Sequence, residues 1–319
     1  MGRVRWQELP IAVRSWAQDV LGSAVVAAVS QPGGFSPGAA SRLTLADGRR
    51  AFIKAVCASA NPDSPVMHRR EAQIAAALPP GVPSPAFLGS YDDGEWVALL
   101  FCDVEGRQPG QPWRLGDLQR VMTALDTLHE LLTPSPLTAV PGVEERYADS
   151  LSGWRQLAAA GGSPRRLAAA AAGSGGLDAW SSRNLDALAD LESGWAAAAA
   201  GTTLLHNDVR ADNMLITADG VVFVDWPAAC VGAAPFDVVA FAPSVALEGG
   251  PEPEWLLARS RSAAAADPDA VTAMVAAVAG YFTWQALLPA PRGLPTVRAF
   301  QAAQGVHARA WLRLRTGWK

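Results

Sequence analysis

Residues 204 to 226 read LLHNDVRADNMLITADGVVFVDW, and the rest of the chain is best read outward from them. An apolar lead-in, Leu204-Leu205, delivers His206, Asp208 and Asn213 on a polar loop. Two apolar runs follow, Met214 to Thr217 and Val221 to Val224, joined by Ala218-Asp219-Gly220. That pattern predicts a hairpin whose open end returns Asp225 to the 206–213 loop. An Asp facing a hydroxyl can orient it and accept its proton, while an Asn and a second Asp can hold magnesium on the phosphates of a nucleotide. The stretch therefore has the parts for phosphoryl transfer.

Composition is consistent with that chemistry. At 319 residues with half of them hydrophobic, the chain can build two lobes with a sizeable core, and wholesale disorder is excluded. A net charge of -4 gives no global attraction to nucleic acid or to an anionic membrane. Cys57, Cys102 and Cys230 are odd in number and outside any C-x-x-C spacing, which argues against a disulfide framework or a zinc site and for a reducing cytoplasm. The N-terminal segment lacks the apolar core and small-residue cleavage site of a signal peptide. Val271 to Leu288 carries no charge and is about long enough to span a bilayer, but Thr272, Gly280, Thr283, Gln285 and the absence of close cationic flanks predict a buried helix instead.

Upstream, the basic residues are almost all Arg; Lys54 and Lys319 are the two lysines among 26. A compact ammonium and a planar guanidinium are not interchangeable where a phosphate must be met by a point charge, so Lys54 stands out. The spacing predicts a leading helix within residues 3–21, a strand at Ala24 to Val29, a turn-rich loop Ser30 to Gly38 containing Ser36, a strand at Ser41 to Leu45, a tight turn at Asp47-Gly48, and a strand at Ala51 to Val56 bearing Lys54. Glycines in such a loop let backbone N–H groups approach phosphates, although this one does not follow G-x-G-x-x-G. After a Pro/Ser loop, His68 to Leu78 reads as a helix carrying Glu71, a candidate partner for Lys54. Ala86 to Tyr91 and Trp96 to Phe101 complete an antiparallel five-stranded sheet with one helix, and Cys102 to Pro112 reads as a linker.

Beyond the linker the pattern turns helical, with Arg114 to Leu132, Glu144 to Ala160 and Leu177 to Ala200 as expected helices. Gly161 to Gly176 is expected to form a mobile surface connection. Asp237 is expected either to cap the helix that follows or to brace the 206–213 loop. A closing helix, Leu294 to Leu314, is rich in Arg.

Strand Lys, helix Glu, linker, H-x-D-x-x-x-x-N loop and strand-terminal Asp, taken in that order, resemble the aminoglycoside phosphotransferase family, relatives of protein kinases that phosphorylate hydroxyls of small molecules. The resemblance implies an α+β, bilobal, protein-kinase-like fold: a nucleotide-binding lobe at 1–101, a hinge at 102–112, and a larger, mainly helical catalytic and substrate-binding lobe at 113–319. It implies Asp208 as catalytic base and Asn213 and Asp225 as magnesium ligands. Lys54 would be the phosphate-binding lysine, Glu71 its ion-pair partner and Ser36 part of the loop over the nucleotide. Cys102 and Val104 would offer backbone groups to adenine. His206 resembles the family's scaffold His and Asp237 its structural Asp, whereas Trp226-Pro227 replaces the Phe-Gly of protein kinases.

The implied function is ATP-dependent O-phosphorylation, with GTP the alternative donor and Mg2+ the metal. An aminoglycoside antibiotic leads the acceptor classes, ahead of another natural product, a sugar or an amino alcohol; a pseudokinase module that binds nucleotide without turnover is the contrasting reading. A cytoplasmic monomer or homodimer, with no nucleic-acid or membrane partner, completes the expectation. Aminoglycosides are polycations and require carboxylates near the acceptor site, for which Glu248, Glu252, Glu254, Asp267 and Asp269 are the candidates.

Overall fold

The computed structural model describes residues 3–31, 38–160 and 177–319. Ser36 and the connection at 161–176 lie outside the described residues. The chain forms two compact units. The first comprises residues 3–108 with 212–228 and 292–294, and the second comprises 109–211, 229–291 and 295–319.

The first unit is built on an antiparallel five-stranded sheet in the order β1-β2-β3-β5-β4. Its strands are β1 (Val25–Ser30), β2 (Gly38–Leu45), β3 (Arg50–Cys57), β4 (Phe87–Asp92) and β5 (Trp96–Cys102). Period-2 alternation gives β3 two different faces. Ala51, Ile53 and Ala55 pack with Leu43, Leu100 and the apolar stripe Val13, Ala17 and Leu21 of α1 (Ile11–Leu21). Phe52 and Val56 pack with Val97, Leu99, Phe101 and with Ala72 and Ala75 of α2 (Asp63–Ala77). Lys54 belongs by alternation to the α2 face. The sheet thus has a helix on each side, one more than the sequence pattern predicts.

Helix α2 also begins earlier than its apolar periodicity suggests. Asn61 Oδ1 accepts from the amides of Asp63 and Ser64 at 2.9 and 3.0 Å, which supplies the missing helix-start acceptor. Pro65 then falls in the first turn, where an N–H has no intrahelical acceptor to lose.

Two short two-stranded sheets follow. β6 (Thr203–Leu205) pairs with β9 (Cys230–Gly232) in the second unit, and β7 (Met214–Ile216) pairs with β8 (Val221–Phe223) in the first. The β7–β8 hairpin is tied into the first unit by Arg107, whose amide and carbonyl bond the carbonyl and amide of Ile216 at 3.1 and 2.7 Å, and by Phe223 N donating to Pro83 O at 2.8 Å.

The second unit is mainly helical. Its principal helices are α3 (Leu115–Leu131), α4 (Gly153–Ala159), α5 (Leu185–Ser193), α6 (Pro235–Leu247), α7 (Pro268–Leu287) and α8 (Val297–Thr316). Among the described residues α7 is the helix long and apolar enough to cross a membrane, and most of it is buried in this unit: Val275, Ala276, Ala277 and Ala279 are fully covered. Trp154 Nε1 donates to Ala276 O at 2.9 Å, and a Cβ on Gly153 would overlap the Gly280 carbonyl, so α4 lies directly on α7.

The expected single helix at 144–160 is broken because the buried Glu192 carboxylate receives the amides of Trp154 and Arg155, both at 3.0 Å, and so caps a new start at Gly153. Leu177 to Ala200 is likewise divided, with breaks at Asn184 and Gly194.

Candidate active site

Lys54 projects from the middle strand of the sheet and is bonded by two carboxylates. Its Nζ lies 2.6 Å from Glu71 Oε1 on α2 and 2.7 Å from Asp225 Oδ1, just past β8. An ammonium has three donors. Two are committed here, so one remains for a further acceptor such as a phosphate oxygen. Burial alone would lower the Lys54 pKa, but the charges of Asp225 and Glu71 outweigh it and hold the ammonium above the ordinary lysine range. Burial pushes the Glu71 carboxyl up to about 7 against the pull of Lys54. The two shifts have different causes: paired carboxylates raise Lys54, and burial raises Glu71.

The Asp225 side chain is 41% exposed, whereas Glu71, the other carboxylate on Lys54, is covered, so Asp225 is the one open to a ligand. Its backbone sits at φ 71°, in the left-handed region that non-glycine residues seldom adopt. Val224 N donates to Asn213 O at 2.9 Å, and Met214 stands opposite Phe223 across the hairpin. Asn213 is therefore held opposite the residue next to Asp225. A carboxylate and an amide oxygen are hard donors, so this pair has the chemistry for magnesium.

Two residues that sequence reasoning left out also bear on this cluster. Arg3 feels the Asp225 charge, and His68, buried on α2, is lowered to about 4 by burial first and by the Lys54 charge second. In the linker, buried Asp103 is paired with Arg42 at 3.1 Å and Arg50 at 3.2 Å, which fixes it to β2 and β3. Cys102 N donates to Ala86 O at 2.9 Å, and Val104 O accepts from Arg42 at 3.0 Å. The Cys102 amide and the Val104 carbonyl are thus committed to the protein.

The loop that carries Asp208 belongs to the second unit and is braced from below. Asp237, fully buried at the start of α6, accepts from Asn207 N at 2.6 Å, from His206 N at 3.1 Å and lies 3.1 Å from His129 Nε2. Of the two roles expected for Asp237, bracing is the one observed. His206 is buried and its Nδ1 accepts from Asp208 N at 3.3 Å, so the imidazole supports the loop. Asn207 takes a left-handed φ of 57°, which turns the chain so that two consecutive amides meet one carboxylate.

Asp208 itself is partly exposed, with Arg210 Nε 3.7 Å from its Oδ1. The guanidinium of Arg210 lies over the Phe300 ring at 5.4 Å. Tyr281 on α7 is pushed up by burial and by the Asp208 charge, with Gln301, Arg298 and Arg210 opposing. The first unit thus brings Lys54, Glu71, Asn213 and Asp225 together, and the second holds Asp208. His129 and Tyr281 have no nearby motif to announce them; their positions follow from helix packing.

The phosphotransferase enzyme family matches residues 34–274. No curated protein sequence matches the chain significantly. Among solved structures, a thermostable mutant of the aminoglycoside phosphotransferase APH(4)-Ia, crystallised as a ternary complex with ADP and hygromycin B, is 14% identical at a TM-score of 0.59, with 95% of this chain and 98% of that one covered. A choline/ethanolamine kinase family protein from Mesorhizobium loti is 18% identical at 0.58, covering 95% and 94%. The amicoumacin kinase hAmiN, solved with AMP-PNP, Ca2+ and Ami, is 10% identical at 0.54, covering 91% and 88%. With the family matched over most of its length and this fold shared with such kinases, the chain belongs to the phosphotransferase enzyme family and is a phosphotransferase of protein-kinase-like fold.

Proposed function

We propose that the protein transfers the γ-phosphate of ATP, with GTP the alternative donor, to a hydroxyl of a small molecule. The observation that carries this reading is the Lys54 ammonium held between Glu71 and Asp225 at 2.6 and 2.7 Å, with a third donor left for a phosphate oxygen. Magnesium, when bound, would supply charge stabilisation to the phosphates. Asn213 and Asp225 are the residues with the oxygens to hold it. Glu71 keeps Lys54 oriented toward the phosphates, Ser36 belongs to the loop assigned to cover them, and Cys102 and Val104 are the linker positions assigned to adenine, through the Cys102 carbonyl and the Val104 amide.

Asp208 accepts the proton of the acceptor hydroxyl as the oxygen attacks, and Asp237 and His206 keep its loop in place. The expected division of labour remains a nucleotide-binding lobe at 1–101, a hinge at 102–112 and a catalytic lobe at 113–319. Aminoglycosides are the acceptor class suggested by the resemblance and by the hygromycin B complex of a relative; other natural products, sugars and amino alcohols form the wider set. Phosphorylation of such an antibiotic would confer resistance. Three unpaired cysteines and the need for ATP favour action in the cytoplasm, as a monomer or homodimer.

The test is a coupled ATP-consumption assay with mass spectrometry for the gain of one phosphate on candidate acceptors. Asp208→Asn should lower turnover on the order of 10²- to 10⁴-fold with nucleotide affinity kept. Near-native turnover in that variant would sink the assignment. Tight ATP binding with no transfer to any acceptor would instead favour a pseudokinase module.

A further inference from the structure

Resting on the reading of Asp208 as the base, and departing from the aminoglycosides that the resemblance suggests, we infer that the acceptor is a hydroxylated anion, whose carboxylate or phosphate is held by Arg298 while its hydroxyl meets Asp208. The geometry lies wholly in the second unit. The N-terminal end of α8, which carries Arg298 and Gln301, meets the Asp208 loop through Phe300: its ring underlies Arg210, which itself lies 3.7 Å from Asp208. Gln301 Nε2 donates to Tyr281 Oη at 3.2 Å, and Tyr281 feels the charges of Asp208, Arg210 and Arg298 together.

Arg298 is built into place. Its Nε donates to Pro289 O at 3.1 Å, and its Nη1 donates to Gln285 Oε1 at 2.5 Å and Gln301 Oε1 at 2.8 Å. Three of its five donors are used, all by neutral acceptors, and Nη2 makes no hydrogen bond among the described residues. A guanidinium fixed by neutral groups keeps its full charge for a ligand.

Three of the carboxylates named for a polycation, Glu254, Asp267 and Asp269, lie by the start of α7 and the end of α8. α7 and α8 run antiparallel, since Arg298 meets Gln285, Gln301 meets Tyr281 and Arg315 meets Thr272. Asp267 caps the start of α7, and Asp269 stands twelve residues before Tyr281, about 18 Å along the helix axis at 1.5 Å per residue. Glu254 is held by Trp311 at 2.7 Å and Arg315 at 2.6 Å, and Arg315 is roughly 25 Å along α8 from Arg298. Glu248 accepts from Trp113 Nε1 at 2.9 Å. Arg210 lies 3.7 Å from Asp208, and Arg298 is tied through Gln301 to Tyr281, which feels the charges of all three; such cationic surroundings attract an anion and disfavour a polycation.

The test compares hydroxy acids, sugar phosphates, neutral polyols and aminoglycosides as ligands by thermal shift and calorimetry, and as acceptors by phosphate gain. The full-length protein, Arg298→Gln and Arg298→Lys are measured in parallel. Expected are binding of at least one acid class, a loss on the order of 10- to 100-fold in its affinity or KM in Arg298→Gln, and partial rescue in Arg298→Lys. The carboxylate and phosphate arms separate the two sources of the anion.

Preferential phosphorylation of aminoglycosides, or acid binding indifferent to Arg298→Gln, overturns the inference; so does failure of every acid to bind. Arg298-dependent acid binding without transfer to any acceptor sustains the anion site and overturns the kinase reading.

Discussion

Lys54 Nζ lies 2.7 Å from Asp225 Oδ1, a bond between residues 171 positions apart that joins the middle of a sheet to the end of a distant hairpin. Asp225→Asn keeps the shape but removes the charge that holds Lys54 and that a metal would share. Magnesium-dependent nucleotide affinity should fall by about 10- to 100-fold, the range for a hydrogen bond to a charged group. Titration of ATP with and without magnesium checks this; an unchanged affinity would separate Asp225 from the metal.

Asp237 has a structural role that can be measured apart from turnover. Asp237→Ala leaves the amides of His206 and Asn207 and the ring of His129 without their shared acceptor in a fully buried place. Destabilisation of about 3–5 kcal/mol is expected, with Asp237→Asn less severe because one oxygen survives. Denaturant unfolding reads the difference.

His68 makes stability depend on pH. Its pKa is lowered from 6.5 to about 4, chiefly by burial and then by Lys54. Between those values the unfolded chain binds a proton that the native chain refuses, so stability is fully present above pH 6.5 and is lost as pH falls toward 4. The gap corresponds to about 3 kcal/mol at most. Unfolding curves at pH 7 and pH 5 should converge in His68→Gln relative to the wild type.

Gly153 permits the contact between α4 and α7. Gly153→Ala places a methyl on the Gly280 carbonyl, and the helices must separate, with an expected loss of about 1–3 kcal/mol. A melting temperature unchanged by this substitution would show that α4 shifts without consequence.

Legibility followed the range of the forces involved. Lys54 and its strand were visible because alternation and turn signals are local, and Asp208, Asn213 and Asp225 because they sit on one loop and one hairpin. The early start of α2 was missed because the side chain that accepts its first amides, Asn61, lies outside the apolar stripe. The break before Gly153 was missed because its cap, Glu192, comes from a helix 38 residues downstream. Helix α1 was expected, but not that it would cover the second face of the sheet, a matter of packing rather than periodicity.

The sequence by itself determined the kinds and order of the reacting groups: a lysine on a strand, a glutamate on a helix, then Asp208, Asn213 and Asp225 at spacings set by a loop and a tight turn. Only the tertiary structure decided their surroundings. The antiparallel pairing of α7 and α8 sends Asp267, Asp269 and Glu254 to one end and Tyr281, Arg298 and Gln301 to the other, the end whose Phe300 underlies Arg210 of the Asp208 loop. Charge near a site depends on distance through space, and helix packing sets that distance between residues whose separation along the chain carries no information about it.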